Sequence, residues 1–262
     1  MTNAALHVAR TGLDAQAARM RVIANNLANV NTTGFQRERA EFQTLAYQTI
    51  TAPGAASSGD SRYAIGLSLG SGVSMTGVSR LNTQGSLNST ENPFDLAIQG
   101  EGFFQIARPD GTTGYTRAGN FQVSAEGQLV TSEGFPLQPD IRVPEGASSV
   151  TIGADGKVTA SMPGQTEASE VGQIEIARFA NPAGLLPTGD NLYQATQASG
   201  EPQTGVAGAE GRGSIRQGAL EASNVNVVQE LVDMIETQRA YEVNSKMIQS
   251  TDEMLRNANQ QL

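Results

Sequence analysis

Apolar side chains near the N-terminus recur at alternating spacings of three and four residues, a pattern that predicts an amphipathic helix. The seam continues for about three and a half heptads. Asn29, Asn31 and Gly34 then provide a plausible stop. Seven of the eight seam positions are apolar, and the seam consists of Leu6, Ala9, Leu13, Gln16, Met20, Ile23, Leu27 and Val30.

The C-terminal end of the chain shows the same rhythm and predicts a second helix. Its start can be capped by Ser223, or by Asn224 or Asn226 if the helix begins later. The seam has three polar interruptions and consists of Val227, Leu231, Met234, Gln238, Tyr241, Ser245, Ile248, Asp252 and Leu255.

Between the two ends the periodicity changes to two, which predicts short strands. Glycine-containing turn signals separate them, and Asp155-Gly156 lies between two strand patterns as in a hairpin. The strand patterns are "DLAIQ", "FFQIAR", "NFQVS", "SVTIGADGKVTA" and "GQIEIARF", and the other turns are Pro109-Asp110-Gly111 and Glu126-Gly127.

A segment rich in Ser, Gly and Ala, Thr49 to Val73, precedes this region and reads by default as a flexible loop. Its second half alternates like a strand, through Tyr63, Ile65, Leu67 and Leu69. The expected fold class is α+β, with paired terminal helices and a mainly antiparallel β domain. The expected domains are residues 1–45 plus 215–262 (helical), 46–82 (an extended or hairpin connection) and 83–214 (β).

The helices need partners for their apolar seams. They either pair with each other as a coiled coil or pack separately against the sheet. Each also carries a second small or apolar stripe, and a two-helix pair cannot bury both stripes of both helices. Exposed apolar surface marks an association site, and repeated association that does not close into a ring makes a filament. The second stripes are Val8, Ala15, Ala18 and Val22, and Ala240, Met247 and Met254.

Four asparagines lie in the stretch "VIANNLANVNTTGF" at the end of the first helix. Asn25 and Asn29 are four residues apart and therefore share one helix face. A buried Asn needs a partner and so specifies register between helices. The alternative is that these amides only fray the helix end in water.

Composition excludes several classes of protein. The net charge of −9 and the pI near 4.7 argue against nucleic acid or an anionic membrane as partner. The 262 residues contain no Cys, which excludes disulfides and thiolate metal sites. No apolar run approaches the ~20 residues that span a bilayer, and the N-terminus lacks the pattern of a cleaved secretory signal.

Candidate catalytic chemistry is sparse. His7 is the only histidine, so most nucleophile–base arrangements cannot be assembled. Asp95 and Glu101 leave a carboxylate hydrolase or lyase as a remote alternative. We expect no catalytic, cofactor-binding or metal site.

Four stretches in order along the chain resemble the bacterial flagellar rod and hook family: Ile23–Leu45, Asn92–Ile106, Tyr115–Leu137 and Ser223–Leu255. Within it, the chain length and the segment Tyr47–Val73 resemble distal rod subunits. A hook or proximal rod paralogue is the alternative.

The resemblance implies a non-enzymatic subunit that polymerises helically into the rigid drive shaft of the flagellar basal body and transmits torque to the hook. The implied partners are further copies, proximal rod and hook subunits, the periplasmic and outer-membrane ring proteins, and the flagellar type III export apparatus, which exports the chain without signal cleavage. The implied location is the basal body, within the periplasm and through the outer rings.

The resemblance also favours contacts between subunits over fraying for the amides. The expected interface residues are Asn25, Asn26, Asn29 and Asn31, their counterparts Asn224 and Asn226, and the apolar residues Leu6, Leu13, Met20, Leu27, Leu231, Met234, Tyr241, Ile248 and Leu255. The connecting segment is expected to stiffen the shaft through Tyr47, Pro53, Tyr63, Ile65 and Leu67.

Overall fold

The chain divides into two compact units. The terminal unit comprises Met1–Ala28, Glu38–Ser79 and Asn226–Leu262, and the central unit comprises Asn29–Arg37 and Arg80–Val225. The structure is a computed structural model and describes residues 2–54, 56–58, 61–163 and 168–260.

The terminal unit contains two helices, α1 (Thr2–Ala28) and α2 (Val227–Gln260). Its strands pair as short ribbons, β1 with β6, β2 with β5 and β3 with β4. The strands are β1 (Glu38–Thr44), β2 (Tyr47–Thr51), β3 (Ala56–Ser58), β4 (Ser61–Arg62), β5 (Leu67–Gly70) and β6 (Val73–Arg80).

Helix α2 begins where its cap allows. The Oδ1 of Asn226 accepts hydrogen bonds from the backbone N–H groups of Val228 (3.0 Å) and Gln229 (3.2 Å). These groups have no partner within the helix, so the Asn226 side chain satisfies donors that would otherwise be left to water. Of the three cap residues that the sequence allowed, Asn226 is the one used.

The central unit is built from antiparallel pairs. Its largest sheet has seven strands, in the order β18-β19-β10-β9-β17-β20 with β13 also pairing with β9. A 3₁₀ turn covers Pro182–Gly184. The strands are β7 (Leu87–Ser89), β8 (Leu96–Gln99), β9 (Phe103–Ala107), β10 (Thr113–Thr116), β11 (Gln122–Val123), β12 (Leu129–Val130), β13 (Leu137–Gln138), β14 (Ser149–Ile152), β15 (Lys157–Ser161), β16 (Ser169–Gln173), β17 (Glu175–Arg178), β18 (Leu186–Gly189), β19 (Leu192–Gln194), β20 (Gln203–Val206), β21 (Ser214–Gln217) and β22 (Ala219–Glu221).

The predicted turns join antiparallel neighbours. Gly111 lies between β9 and β10, Gly127 between β11 and β12, and Gly156 between β14 and β15. Their φ values of +79°, +79° and +83° are in the left-handed region, where a residue with a Cβ is strained. The expected α+β class, with a helix at each end and an antiparallel β region between them, is confirmed.

Successive side chains of β9 point to opposite faces of the strand, so they belong to two different apolar clusters of the central unit. Phe104 and Ile106 point into the larger one, in which every member is nearly or fully inaccessible to water. Phe103 points to the other face, where its ring meets Phe179 and Tyr193 edge-on at centroid distances of 5.9 and 6.0 Å. One short strand therefore contributes to two cores.

A buried ion pair connects segments of the central unit that are distant in sequence. The Nε of Arg117 donates to Oε2 of Glu221 over 2.8 Å, and their side chains are 5% and 3% exposed. Arg117 also donates to the carbonyl groups of Gly100 and Gly102, and the other Glu221 oxygen accepts from the N–H of Gly85. These further bonds satisfy additional polar atoms of both charged groups, which offsets part of the cost of burying the pair.

We expect Arg117→Met to lower the free energy of unfolding by about 3–5 kcal/mol, because it leaves the Glu221 carboxylate buried without its cation. Arg142→Met is the matched control, since Arg142 pairs with Asp140 at the surface; it should remain within about 1 kcal/mol of the wild type. Urea denaturation of the full chain measures both values. Equal losses in the two variants would contradict the structural role of the buried pair.

Candidate subunit interface

The buried residues of α1 and α2 differ in character. On α1, the buried residues are mostly small or apolar. On α2, the buried residues are polar: Glu230, Thr237 and Thr251. The two threonine hydroxyls donate to carbonyl oxygens one turn earlier in α2, over 2.6 and 2.8 Å, so their burial leaves no donor unsatisfied. The buried α1 residues are Ala9, Ala15, Ala18, Val22, Ile23 and Asn26.

Two further contacts join the helices. Arg19 approaches Asp233 to 3.6 Å. A Cβ added to Gly12 would lie 3.1 Å from the Asn244 amide nitrogen, so α2 passes close to the α1 backbone there. The contact surface thus combines small residues with specific polar pairs.

Asn26 is the most heavily used of the four asparagines, and it is only 1% exposed. Its Nδ2 donates to the carbonyl oxygen of Glu38 (2.8 Å) and to Oε2 of Glu230 (3.2 Å). Its Oδ1 accepts from the N–H of Glu38 (2.9 Å). One carboxamide therefore joins α1, β1 and α2.

The other three asparagines of this stretch have different surroundings. Asn25 is exposed, and its Nδ2 donates to the Glu38 carboxylate over 3.2 Å. Asn29 accepts a hydrogen bond from the Thr32 hydroxyl just after α1. Asn31 is exposed and lies beyond the helix. The cluster is thus divided between one buried node and three sites nearer water, and its predicted contacts with other subunits stay a prediction.

Asn224 occupies a comparable node in the central unit. Its Oδ1 accepts from the N–H of Arg37 over 2.6 Å. Its Nδ2 donates to the carbonyl oxygens of Leu81 and Thr83. Together with the cap at Asn226, this gives both predicted counterpart amides a defined role within the chain.

The outward side of α2 carries a set of exposed apolar residues. Val228 is 70% exposed and Ile235 is 51% exposed. At about 100° per residue, seven exposed apolar residues fall on one side of the helix, interspersed with exposed charged residues such as Arg239 and Lys246; the seven are Val228, Leu231, Val232, Ile235, Val243, Met247 and Met254.

The predicted seam residues lie partly on this face and partly beside it. Leu231 and Tyr241 are exposed, whereas Met234 and Ile248 are half-buried. The side chain of Leu255 lies outside the described residues. On α1, all four predicted apolar positions are half-buried: Leu6, Leu13, Met20 and Leu27.

Sequence reasoning missed four members of the outward face: Val228, Val232, Ile235 and Val243. Their spacings of four, three and eight residues are helical, so a signal was present. The heptad pattern through Val227 and Leu231 has helical spacing as well. Apolar periodicity alone cannot show which of the two stripes faces the partner helix.

The connecting segment exposes a second set of apolar residues. Strands β2 and β5 pair antiparallel, from Tyr47 opposite Gly70 to Thr51 opposite Leu67. Ile65, in the connection between them, is 85% exposed. The residues expected to stiffen the shaft are all exposed, namely Tyr47, Pro53, Tyr63, Ile65 and Leu67, and so are Ile50 and Leu69.

Ribbon β1–β6 carries a tightly held surface carboxylate. The Ser79 hydroxyl donates to Oε1 of Glu41 over 2.7 Å, and the Arg39 guanidinium donates to the same oxygen. The Ser79 hydrogen bond, followed by that of Arg39, holds the pKa of Glu41 below its ordinary value. This carboxylate remains charged and structural rather than acting as a proton donor near neutral pH.

The candidate catalytic carboxylates have structural partners. Asp95 accepts a hydrogen bond from the Asn92 amide over 2.9 Å, and Glu101 pairs with Arg178 at the surface. Among the described residues, no group of three or more His, Cys, Asp or Glu side chains could hold a metal ion. Within the same ranges, no helix has the length and apolar character needed to span a bilayer.

Comparison with known proteins shows to which family the chain belongs, over nearly its whole length. It is 48% identical to the flagellar basal-body rod protein FlgG of Buchnera aphidicola over 255 residues, which cover 97% of this chain and 98% of that protein. It is 46% identical to FlgG of Caulobacter vibrioides, with 98% of each chain covered. The chain belongs to the flagellar basal-body rod protein family.

Family profiles and a paralogue indicate which members of this family the chain resembles most. The profile of the flagella basal body rod protein matches residues 6–36, the FlgE/F/G hook protein D1 domain matches 97–160, and the FlgEFG C-terminal region matches 216–261. The rod protein FlgF of Caulobacter vibrioides is 37% identical, with 92% of this chain and 90% of that protein covered. Against the same organism, the chain is thus nearer to FlgG than to FlgF, as the resemblance to distal rod subunits predicted.

We expect Asn26→Ala to destabilise the terminal unit by about 1–3 kcal/mol, because it removes the hydrogen bonds of a buried carboxamide to the backbone of Glu38 and to the Glu230 carboxylate. Asn31→Ala removes an exposed amide from the same cluster and should cost less than about 0.5 kcal/mol. Helical circular dichroism followed through urea denaturation measures both. A loss for Asn26→Ala no larger than for the control would show that the buried node is dispensable.

Proposed function

We propose that this rod-family chain is a non-enzymatic structural subunit that polymerises helically into the distal rod of the flagellar basal body. The observation that carries the proposal is the outward apolar face of α2. The near full-length likeness to proteins named FlgG supports the assignment to a rod.

The isolated chain leaves apolar surface of α2 in contact with water. Each fully buried Val, Leu, Ile or Met side chain contributes roughly 1.5–3 kcal/mol relative to an exposed one. Helix α2 exposes seven such side chains along one side and buries polar residues against α1. Packing against further copies gives this face the burial that its own partner helix does not provide.

In this proposal, α1 and α2 of one subunit pair as a coiled coil, and neighbouring subunits cover the remaining apolar stripes. The half-buried residues Leu6, Leu13, Met20 and Leu27, and the exposed residues Leu231 and Tyr241, are available for such contacts. Asn26 and Asn224 act inside the subunit by holding their segments in place. Asn25, Asn29 and Asn31 contact other subunits.

The proposed surroundings of the subunit follow from a shaft that crosses the cell envelope. Proximal rod subunits lie on one side and hook subunits on the other, and the periplasmic and outer-membrane ring proteins encircle it. The flagellar export apparatus delivers the chain without removing a signal peptide. Many weak, repeated contacts between identical subunits transmit torque along the shaft.

The connecting segment is proposed to stiffen the shaft by bridging neighbouring subunits. Its exposed apolar side chains, including Tyr47, Ile50 and Ile65, support this role. Surface of this kind is expected to be covered in an assembly.

We expect the double variant Val228→Ser, Ile235→Ser to abolish or strongly weaken polymerisation of the purified chain, because it removes apolar surface from the face that copies share. Gln238→Ser is the control, since Gln238 is an exposed polar residue of the same helix. Sedimentation over a range of concentrations measures assembly, and circular dichroism checks the fold. Unchanged assembly of the double variant would exclude this face from the polymer.

Deleting the gene in its source organism should leave basal bodies with a shortened rod that lacks the outer rings and the hook, as seen by electron microscopy. Complementation with the wild type should restore them, and complementation with a chain lacking residues 52–61 should give rods altered in length or straightness. A complete ringed rod without a hook would reassign the protein to the hook. Normal rods from the shortened chain would remove the stiffening role.

A further inference from the structure

The two helices of the terminal unit carry opposite charge. Helix α1 contains three arginines and one acidic residue, Asp14. Helix α2 contains six carboxylates and three basic side chains. Like charges placed opposite each other are unfavourable, so this asymmetry favours contacts of α1 with α2 over contacts of α2 with α2.

Within one chain, this complementarity is already used once. Arg19 on the inner side of α1 approaches Asp233, whose side chain is 18% exposed, to 3.6 Å. Arg21 follows two residues later, and at about 100° per residue it lies on nearly the opposite side of the helix. Helix α1 therefore presents one arginine to its own α2 and another to the outside.

Arg21 has no partner in the part of the chain that the structure describes. Its side chain is exposed and forms no ion pair or hydrogen bond there. The positions three and four residues away, where a helical salt bridge would form, hold Ala17, Ala18, Ala24 and Asn25. An acid from outside this helix is needed to pair with it.

The outward side of α1 around Arg21 also allows close approach. Ala24 and Ala28 are exposed and Ala17 is half-buried, all at helical spacings from Arg21. Small side chains let a second helix come near, whereas the outward face of α2 carries larger apolar side chains, such as Val228 and Ile235. The outward faces of α1 and α2 thus differ in the size of their side chains as well as in charge.

On α2, Glu236 is the exposed acid that lies beside the apolar residues Val228, Val232 and Ile235. It is exposed, forms no ion pair among the described residues, and follows Val232 of the apolar face by one helical turn. A carboxylate at the edge of an apolar stripe is placed like the charged residues that set partner choice and orientation in helical assemblies.

We propose that the outward face of α2 docks onto α1 of a second copy, with Glu236 of one copy paired to Arg21 of the next. The contact is heterologous, because different surfaces meet, and repetition of such a contact builds an open polymer rather than a closed dimer. The inference rests on the proposed polymer function and specifies which surfaces meet in it.

Charge reversal tests the pairing directly. We expect Arg21→Glu and Glu236→Arg each to raise the critical concentration for polymerisation of the full chain by about two- to tenfold, since each replaces attraction by repulsion. The double variant, which restores opposite charges in reversed order, should return to within about twofold of the wild type. Arg142→Glu changes the net charge as Arg21→Glu does, at an exposed site of the central unit, and serves as the control.

Salt provides an independent readout. The difference between the single variants and the wild type should shrink between low and high ionic strength, because exposed charges are screened. Single variants that assemble like the wild type, or a double variant no better than the single ones, would overturn the pairing while leaving the polymer intact. A wild-type chain that does not polymerise at any concentration would instead overturn the proposed function, and the pairing with it.

Discussion

The Asn26 carboxamide is the constraint on which the terminal unit depends. It bonds both backbone groups of Glu38, twelve residues away, and the carboxylate of Glu230, which is 204 residues away. A carboxamide supplies an acceptor oxygen and a two-proton donor nitrogen in one uncharged group, which suits this combination of one accepted and two donated bonds. Because Asn26 and Glu230 are buried, any shift of α1 along α2 would leave polar atoms unsatisfied, and a single register is thereby selected.

The polar character of the buried residues of α2 has a consequence for the outside of the unit. An amphipathic helix ordinarily directs its apolar stripe toward its own core. Helix α2 directs Glu230, Thr237 and Thr251 inward and leaves Val228, Val232 and Ile235 outside. The hydrogen bonds that determine the register of the two helices thus lie within the chain. The apolar surface of α2 lies where other copies can cover it.

Local patterns in the sequence were sufficient for the elements but not for their pairing. The three-and-four spacing predicted both helices, and glycines at 111, 127 and 156 predicted the hairpins because their left-handed backbone is a local property. The choice among three caps needed the structure, since Ser223, Asn224 and Asn226 are chemically alike as helix caps. Each signal that succeeded is confined to a few consecutive residues.

The interactions that could not be predicted from the sequence are those between residues that are far apart along the chain. Arg117 and Glu221 are 104 positions apart, and nothing in the surroundings of either residue in the sequence indicates the other. Likewise, periodicity identified two apolar stripes on α2 but could not decide which one faces α1, because both have helical spacing. Polar matching favours the observed choice, because the face with Glu230 and Asp233 offers partners for Asn26 and Arg19. Buried hydrogen-bonding requirements, rather than apolar content, therefore set the orientation of the helix and determine which surface remains for assembly.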